Sequence, residues 1–423
     1  MRYVIVGNSY AAVFAIESIR KIDSVGEIYV ISKEPYHVYA RAAIHEYIYG
    51  KIGDEQMYYR DMDFYKKNNL TPVLQKEVVS IETKNNKVYL NDKTSISYDK
   101  LLLSSGGIPV VPPIKGTNGI KGIFTFTTWD DAKKIMEWVP GLKEPKAVVL
   151  GGGLIGLQCA EGLKHMGVDV TVVELADYVL VKALDRKAGV MVENRLRENG
   201  IRVITGDTVA SVRSTKGRVS GVVLKSGEKI PCNIFMISIG VKPNTKFLEG
   251  SGIKINRGIV VDDCMRTNIE NVFAAGDVSE AVERISGKYE VIPIIPAATL
   301  QGKVAGTNMA GGKRKYPGTL SQNTFQFFHT PVISIGNIVT ADSGNGFEVL
   351  EREEGTLYKK AVLKDGKLIY VLSVNSIERI GIFNTLIRER IDVSGFRDKL
   401  LADNFGFLDI PKSLRMELLT KPG

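Results

Sequence analysis

The sequence predicts an α/β protein: two doubly wound parallel-sheet modules followed by a smaller α+β domain. Three observations predict it. First, an apolar run, a tight Gly/Ser turn and a helical stretch occur together twice, as YVIVGNSYAAVFAIESI and as AVVLGGGLIGLQCAEGLKHMG. Second, each copy is followed by the same series. There is another apolar run (EIYVIS, DVTVVE), a polar-tipped hairpin (VVSIETKNNKVYL, SVRSTKGRVSGVVL) and a last strand ending in glycine (KLLLSSGG, NIFMISIG). Third, the pattern changes after residue 316: YKKAVLKDGKLIYVLSVNS reads as a hairpin around Lys-Asp-Gly-Lys, as in an antiparallel sheet.

The two turns carry the chemistry. In the second, Gly151, Gly153 and Gly156 stand in full G-x-G-x-x-G register. The first glycine lets the chain reverse, the second lets backbone approach a pyrophosphate, and the third packs helix on strand. The helix that follows aims unpaired N–H groups and its positive dipole end at the phosphates. An acid belongs about 20 residues on, where it takes the ribose hydroxyls, and Glu174 stands there. Its carboxylate favours NADH, because it would repel a 2′-phosphate. The first turn has Gly7, then Ser9 in the second glycine's place and Ala12 in the third's. Alanine is a permitted substitute there. Were Ser9 forced into a glycine-like conformation, the strain would be about 1 kcal/mol. Both modules are therefore expected to be Rossmann-like, and two in one chain imply two dinucleotides facing each other.

The modules divide the chain. Residues 1–110 form the first; IPVVPPIKG crosses into the second, 111–244; GVKPNT crosses back to 245–315. Residues 316–423 form the α+β domain, where the amphipathic stretch ERIGIFNTLIRERI suits dimerisation or partner contact. In FAAGDV, Asp277 follows a strand and precedes an expected helix start at Val278, where an N-cap role and a ligand role are both open.

Composition narrows the function. Of 423 residues, 44% are apolar and 24% charged, as in ordinary soluble domains. No apolar run approaches the roughly 18 residues of a membrane span. The first strand begins at Arg2 or Tyr3, leaving no room for a signal peptide, so a cytoplasmic location is expected. Cys159, Cys232 and Cys264 are scattered; the first falls in a helix and the second begins a strand, so both read as buried structural thiols. The four histidines lack metal-ligand spacing and no metal site is expected. The net charge of +9 comes without aromatic-interleaved basic stretches, which disfavours nucleic-acid binding. A solvated basic surface is the plainer reading; steering of an acidic partner is the sharper one.

RTNIENVFAAGD, YDKLLLSSGGIP, ISIGVKPNT and PAATLQGKVAGTNMAGG together resemble the FAD/NAD-dependent, two-dinucleotide-binding pyridine nucleotide oxidoreductases over nearly the whole chain. The resemblance implies that Asp277 bonds the FAD ribitol and that the helix start at Pro296 and Ala297 points at the flavin pyrimidine. It also implies that Ser105, Gly106 and Gly240 border the cofactors. EPYHVYARAAI resembles the family's PY-x-x-Y-x-R, which puts Arg41 near the FAD pyrophosphate or flavin. For the FAD ribose, Ser32 occupies the place equivalent to Glu174, but Glu34 is favoured because a carboxylate accepts two hydroxyl protons.

Two departures set the reaction class. Disulfide reductases of the family hold a cysteine against the flavin, and the matching region from Tyr39 to Tyr47 has none. Without a thiolate there is no thiol–disulfide relay. Many relatives also carry a Lys–Glu pair near flavin N5, for which this chain has Glu46 and Gln158; unless Arg41 substitutes, a lower flavin potential is expected. The run IGIFNTLIRERIDVSGFRDKLL resembles the third domain of the nitrite-reductase, rubredoxin-reductase and phenylglyoxylate-dehydrogenase types. The expectation is an NADH:acceptor oxidoreductase using FAD, with no catalytic group beyond the flavin except the candidates Arg41, Glu46 and Gln158. The acceptor would be a small acidic rubredoxin- or ferredoxin-type protein, or the chain would be a subunit of a larger redox complex, as a homodimer or hetero-oligomer. An NADH oxidase using oxygen and a non-catalytic FAD/NAD-binding subunit are the alternatives.

Overall fold

A computed structural model describes residues 1–336, 338 and 346–420. Two five-stranded parallel sheets repeat one plan. The first runs Val272–Ala274, Lys100–Leu103, Arg2–Val6, Glu27–Ser32, Leu70–Leu74. The second runs Arg202–Ile204, Asp169–Val173, Lys146–Leu150, Ile234–Ile237, Ile123–Phe124. The duplication holds to the residue: Val6 pairs with Ile31 as Leu150 pairs with Val173. Helices Tyr10–Arg20 and Leu154–His165 follow the central strands. Val4, Ile5, Val148 and Val149 are fully buried, as expected of parallel strands covered on both faces, which is why they read as unbroken apolar runs. Each module also carries its antiparallel hairpin, Val78–Glu82 with Lys87–Leu90 and Val209–Thr215 with Arg218–Leu224. The two crossings lie side by side, Gly107–Pro109 pairing antiparallel with Val241–Pro243.

Two expectations need correction. No helix starts at Val278. Strand Ser279–Val282 follows instead, parallel to Ile259–Val260 and antiparallel to Tyr289–Glu290. The buried Glu280 carboxylate accepts N–H bonds from Arg257 (2.9 Å) and Gly258 (3.1 Å), which fixes the segment extended. Asp277 is therefore no helix cap. Cys232 lies two residues before its strand, which begins at Ile234.

The remaining domain is a five-stranded antiparallel sheet, ordered Gln322–Phe327, Thr330–Gly336, Lys367–Val374, Leu357–Lys364, Phe347–Glu354. The expected hairpin turns at Asp365 and Gly366. Helix Ile380–Arg388 buries Phe383, Leu386 and Ile387 in a core with Ile333, Val371 and Leu363. This domain is clamped to the second module. Asp185 takes the Tyr358 hydroxyl (2.9 Å) and the Lys360 ammonium (3.1 Å), while Arg195 donates to the Phe328 carbonyl (2.7 and 2.9 Å). One hydrophobic core joins three parts of the chain. Tyr39, Ile44, Tyr47, Ile48 and Met57, from an excursion of the first module, pack with Trp129 and Leu163 of the second and with Phe328 and Tyr358 of the third.

Candidate functional site

A cleft of about 2310 Å³ opens between the two parallel sheets and is lined by both turns. Gly7 and Gly151 hold the same left-handed backbone, φ +113° in each. A Cβ there would stand 2.1 Å from the Ser104 carbonyl oxygen and 2.3 Å from that of Ser238, so only glycine fits. At the third position a Cβ on Gly156 would lie 2.0 Å from the Gly151 carbonyl oxygen. Gly156 and its counterpart Ala12 are buried in helix packing and do not line the cleft. Their part is to seat the helix, as the motif's mechanics require.

The turn does not force Ser9 into a glycine-like conformation, so the conditional strain does not arise. Its φ and ψ of −134° and −160° are extended backbone that any residue adopts, and it caps helix Tyr10–Arg20. Its hydroxyl makes no capping bond and the residue lines the cleft. Gly153, at the equivalent place, has φ −80° and open space where its Cβ would be. A side chain is therefore tolerated at this position of the turn.

Glu174 borders the second turn, accepting N–H bonds from Gly152 (2.6 Å) and Ala176 (2.8 Å). Strand register makes Ser32 its equivalent in the first module. Ser32 lines the cleft, and its hydroxyl accepts the Glu34 N–H at 3.2 Å. Glu34 lines the cleft as well, with its carboxylate engaged. It accepts the Tyr39 hydroxyl at 2.8 Å and an ion pair from Arg41. Arg41 also donates to the Thr127 carbonyl (3.1 Å) and lies over the Tyr39 ring. This Glu34–Tyr39–Arg41 group was missed in the sequence, where its members read as separate positions. Desolvation works against the charge on Arg41, but Tyr39 and the Glu34 carboxylate outweigh it and hold its pKa above the ordinary value. Asp277 lines the same wall, and burial pushes its carboxyl above the usual range while Arg41 pulls it back.

Ser105, Gly106, Gly240 and Pro296 all line the cleft, Pro296 in the first turn of helix Ile295–Met309. Ala297 does not; it is fully buried behind Ile295, Pro296 and Ala298, which do. Gln158 reaches the cleft, but Glu46 is outside it, ion-paired with Lys51 at 2.5 Å. Of the two positions that match the relatives' Lys–Glu pair, only Gln158 lines the cleft. Ala42, Ile44 and His45 form the nearby wall, joined by Gln322, Asn323 and Thr324 of the third domain.

No cysteine borders this cleft. Cys159 is fully buried with its thiol pKa raised by desolvation, Cys232 is buried and pushed up to about 12, and Cys264 lies beside the surface acids Asp262 and Asp263. The residues fit two dinucleotides: paired glycine cradles that a Cβ would fill, helix N-termini behind each, and a part-buried cation and acid on the wall. Among the described residues, no helix is long and apolar enough to cross a membrane.

Comparison with known proteins agrees with this reading. The family model for pyridine nucleotide-disulphide oxidoreductases matches residues 1–302. The NADH-dependent phenylglyoxylate dehydrogenase subunit epsilon of Aromatoleum evansii is 32% identical over 95% of this chain and 95% of its own. The NADH-rubredoxin oxidoreductase of Clostridium acetobutylicum is 26% identical over 88% of this chain and 90% of its own. Two further curated relatives are spanned over about half of their length. Among solved structures, a NAD-dependent persulfide reductase from A. fulgidus superposes with a TM-score of 0.87 at 28% identity, over 94% of this chain and 79% of that one. The duplicated turns, the shared cleft and these matches place the chain in the pyridine nucleotide-disulphide oxidoreductase family, as an NAD(P)H-dependent flavoprotein oxidoreductase.

Proposed function

We propose that this chain is an NADH:acceptor oxidoreductase that passes electrons through FAD to a one-electron carrier protein or a partner redox subunit. The observation that carries the reading is a cleft with two phosphate turns and no sulfur on its walls. A thiol relay needs an accessible thiolate, and the family's disulfide and persulfide chemistry lacks one here. When bound, FAD supplies hydride acceptance and the release of electrons singly.

The chain's own residues supply position and electrostatics. Gly7 and Ser9 receive the FAD pyrophosphate at the N-terminus of helix Tyr10–Arg20, with Arg41 as the fixed cation. Asp277 holds the ribitol, and Ser32 or Glu34 takes the ribose. Gly151, Gly153 and Glu174 orient the nicotinamide dinucleotide on the opposite side. With both coenzymes bound, these residues would hold the two in one walled cleft, and the gain would come from positioning rather than from an acid–base group of the chain. The relatives' names support both acceptor classes: a dehydrogenase subunit and a rubredoxin reductase.

Anaerobic mixing with NADH tests the proposal. The yellow flavin band should bleach, and adding an oxidised rubredoxin or ferredoxin should restore it. Efficient turnover of a disulfide or persulfide instead would overturn the reaction class. A band that never bleaches would favour a binding subunit without turnover, and rapid recolouring by air alone would favour the oxidase.

A further inference from the structure

On the reading that Asp277 holds the FAD ribitol, we propose that Gln301 is a positioning residue of the flavin seat, acting through the Gly276–Asp277 peptide. The fold raises the question it answers. No helix follows Asp277, so no helix cap fixes the turn that carries it. Gly276 stands at φ +81°, in the left-handed region, between strands Val272–Ala274 and Ser279–Val282. Regular structure does not hold that turn; a side chain does.

Gln301 projects from helix Ile295–Met309, and its Oε1 accepts the Gly276 N–H at 2.8 Å. A backbone N–H only donates, so the amide oxygen has to face it and the amide nitrogen has to turn away. On that side Nε2 donates to the Tyr316 hydroxyl (3.4 Å), which donates in turn to Thr319 Oγ1 (2.6 Å). The Ser279 hydroxyl lies 2.9 Å from both Gln301 Oε1 and the Gly276 carbonyl oxygen, and shares its proton between them. Donor and acceptor of Gly276 are therefore both tied to the same side-chain pair. Gln301 is 3% exposed and Ser279 1%, so bulk water cannot take over these bonds. A buried N–H that loses its acceptor carries the full desolvation penalty, and the turn would shift to relieve it.

The helix that supplies Gln301 is itself locked to the first phosphate turn. Gly302, the next residue, and Gly306 lie against the backbone of Ala11 and Ala15 in helix Tyr10–Arg20. Gln301 thus sets Asp277 in one frame with Gly7 and Ser9. Gly276 and Asp277 line the cleft and Gln301 does not, so any effect of Gln301 on a bound ligand passes through that peptide.

Calorimetric titration of flavin-stripped protein with FAD tests this in a double-mutant cycle. Gln301→Met, which keeps length and removes both polar ends, should weaken FAD by about tenfold. Added to Asp277→Asn, it should weaken FAD by less than about threefold more, because its route to the ligand is already cut. Full additivity would overturn the proposal. So would a lower melting temperature with unchanged FAD affinity, which is the signature of a structural role alone. Should Gln301→Met not fold, Ser279→Ala removes the shared hydroxyl with a smaller change, and unchanged FAD affinity there would equally overturn it. If Asp277→Asn alone binds FAD as tightly as wild type, the ribitol reading of Asp277 fails first, and the role of Gln301 with it.

Discussion

Single residues decide whether the two turns can work. The motif was readable because Gly7, Gly151 and Gly156 answer steric demands that no other residue meets, and such demands leave a mark in one dimension. Gly156→Ala should cost on the order of 1–3 kcal/mol, since its methyl would press on a backbone carbonyl that cannot move aside; thermal melts would show it. Ser9→Gly should change the FAD dissociation constant by less than about threefold, because Ser9 carries no backbone strain to relieve. A large gain in affinity would show that its side chain does obstruct the pyrophosphate. The Glu34–Tyr39–Arg41 group was not readable, because its bonds depend on how the segment folds back on itself.

Asp277 gives a pH dependence of definite sign. Its burial raises the carboxyl pKa in the folded, FAD-free protein above the unfolded value. The folded state then binds more protons than the unfolded one between those two values. Stability is full below the ordinary carboxylate range and falls as pH rises through the raised pKa. Asp277→Asn should remove that fall, so the FAD-free variant should melt higher than wild type near neutral pH while binding FAD more weakly. Melting curves of FAD-free protein across pH 4 to 8 would check it, and parallel profiles for the two proteins would contradict it.

At the scale of elements, the strands were legible from their apolar runs and the hairpins from their turn residues. The helix expected at Val278 was not there, because Glu280 reaches a loop about twenty residues earlier in the chain, and no local pattern announces that contact. Helices Tyr10–Arg20 and Ile295–Met309, which both start at the cleft, touch through glycine. A Cβ on Gly302 would lie 2.3 Å from the Ala11 carbonyl oxygen, and one on Gly306 would lie 2.2 Å from that of Ala15. Either Gly→Ala change should push the helices apart, destabilise the protein by about 1–3 kcal/mol and lower FAD retention. Denaturation curves with flavin quantified at each step would separate the two effects. Asp185 caps helix Arg186–Glu198 through the Ala188 N–H at 3.0 Å and also anchors the third domain. Asp185→Ala therefore removes a cap and the acceptor of the buried Tyr358 hydroxyl, and leaves the Lys360 ammonium with Glu351 (3.1 Å) as its remaining ion-pair partner.

At the scale of the whole molecule, replacing Cys159, Cys232 and Cys264 with serine or alanine should leave NADH-driven flavin reduction intact. Rapid-mixing spectra would show whether it does. If the basic surface steers an acidic carrier, reduction of that carrier should slow steeply between low and physiological salt, as the Debye length falls to about 8 Å, while reduction of the flavin itself should not.

The excursion bearing Tyr39, Ile44, Tyr47, Ile48 and Met57 belongs by sequence to one half of the protein and by packing to the other. Arg41 and Ala42 ride on it. Cutting the gene at the Pro-rich crossing would thus leave an amino-terminal fragment with its glycine loop whole but its arginine adrift. The amino-terminal half therefore cannot be lent to another protein without loosening the cation that stands beside its glycine loop.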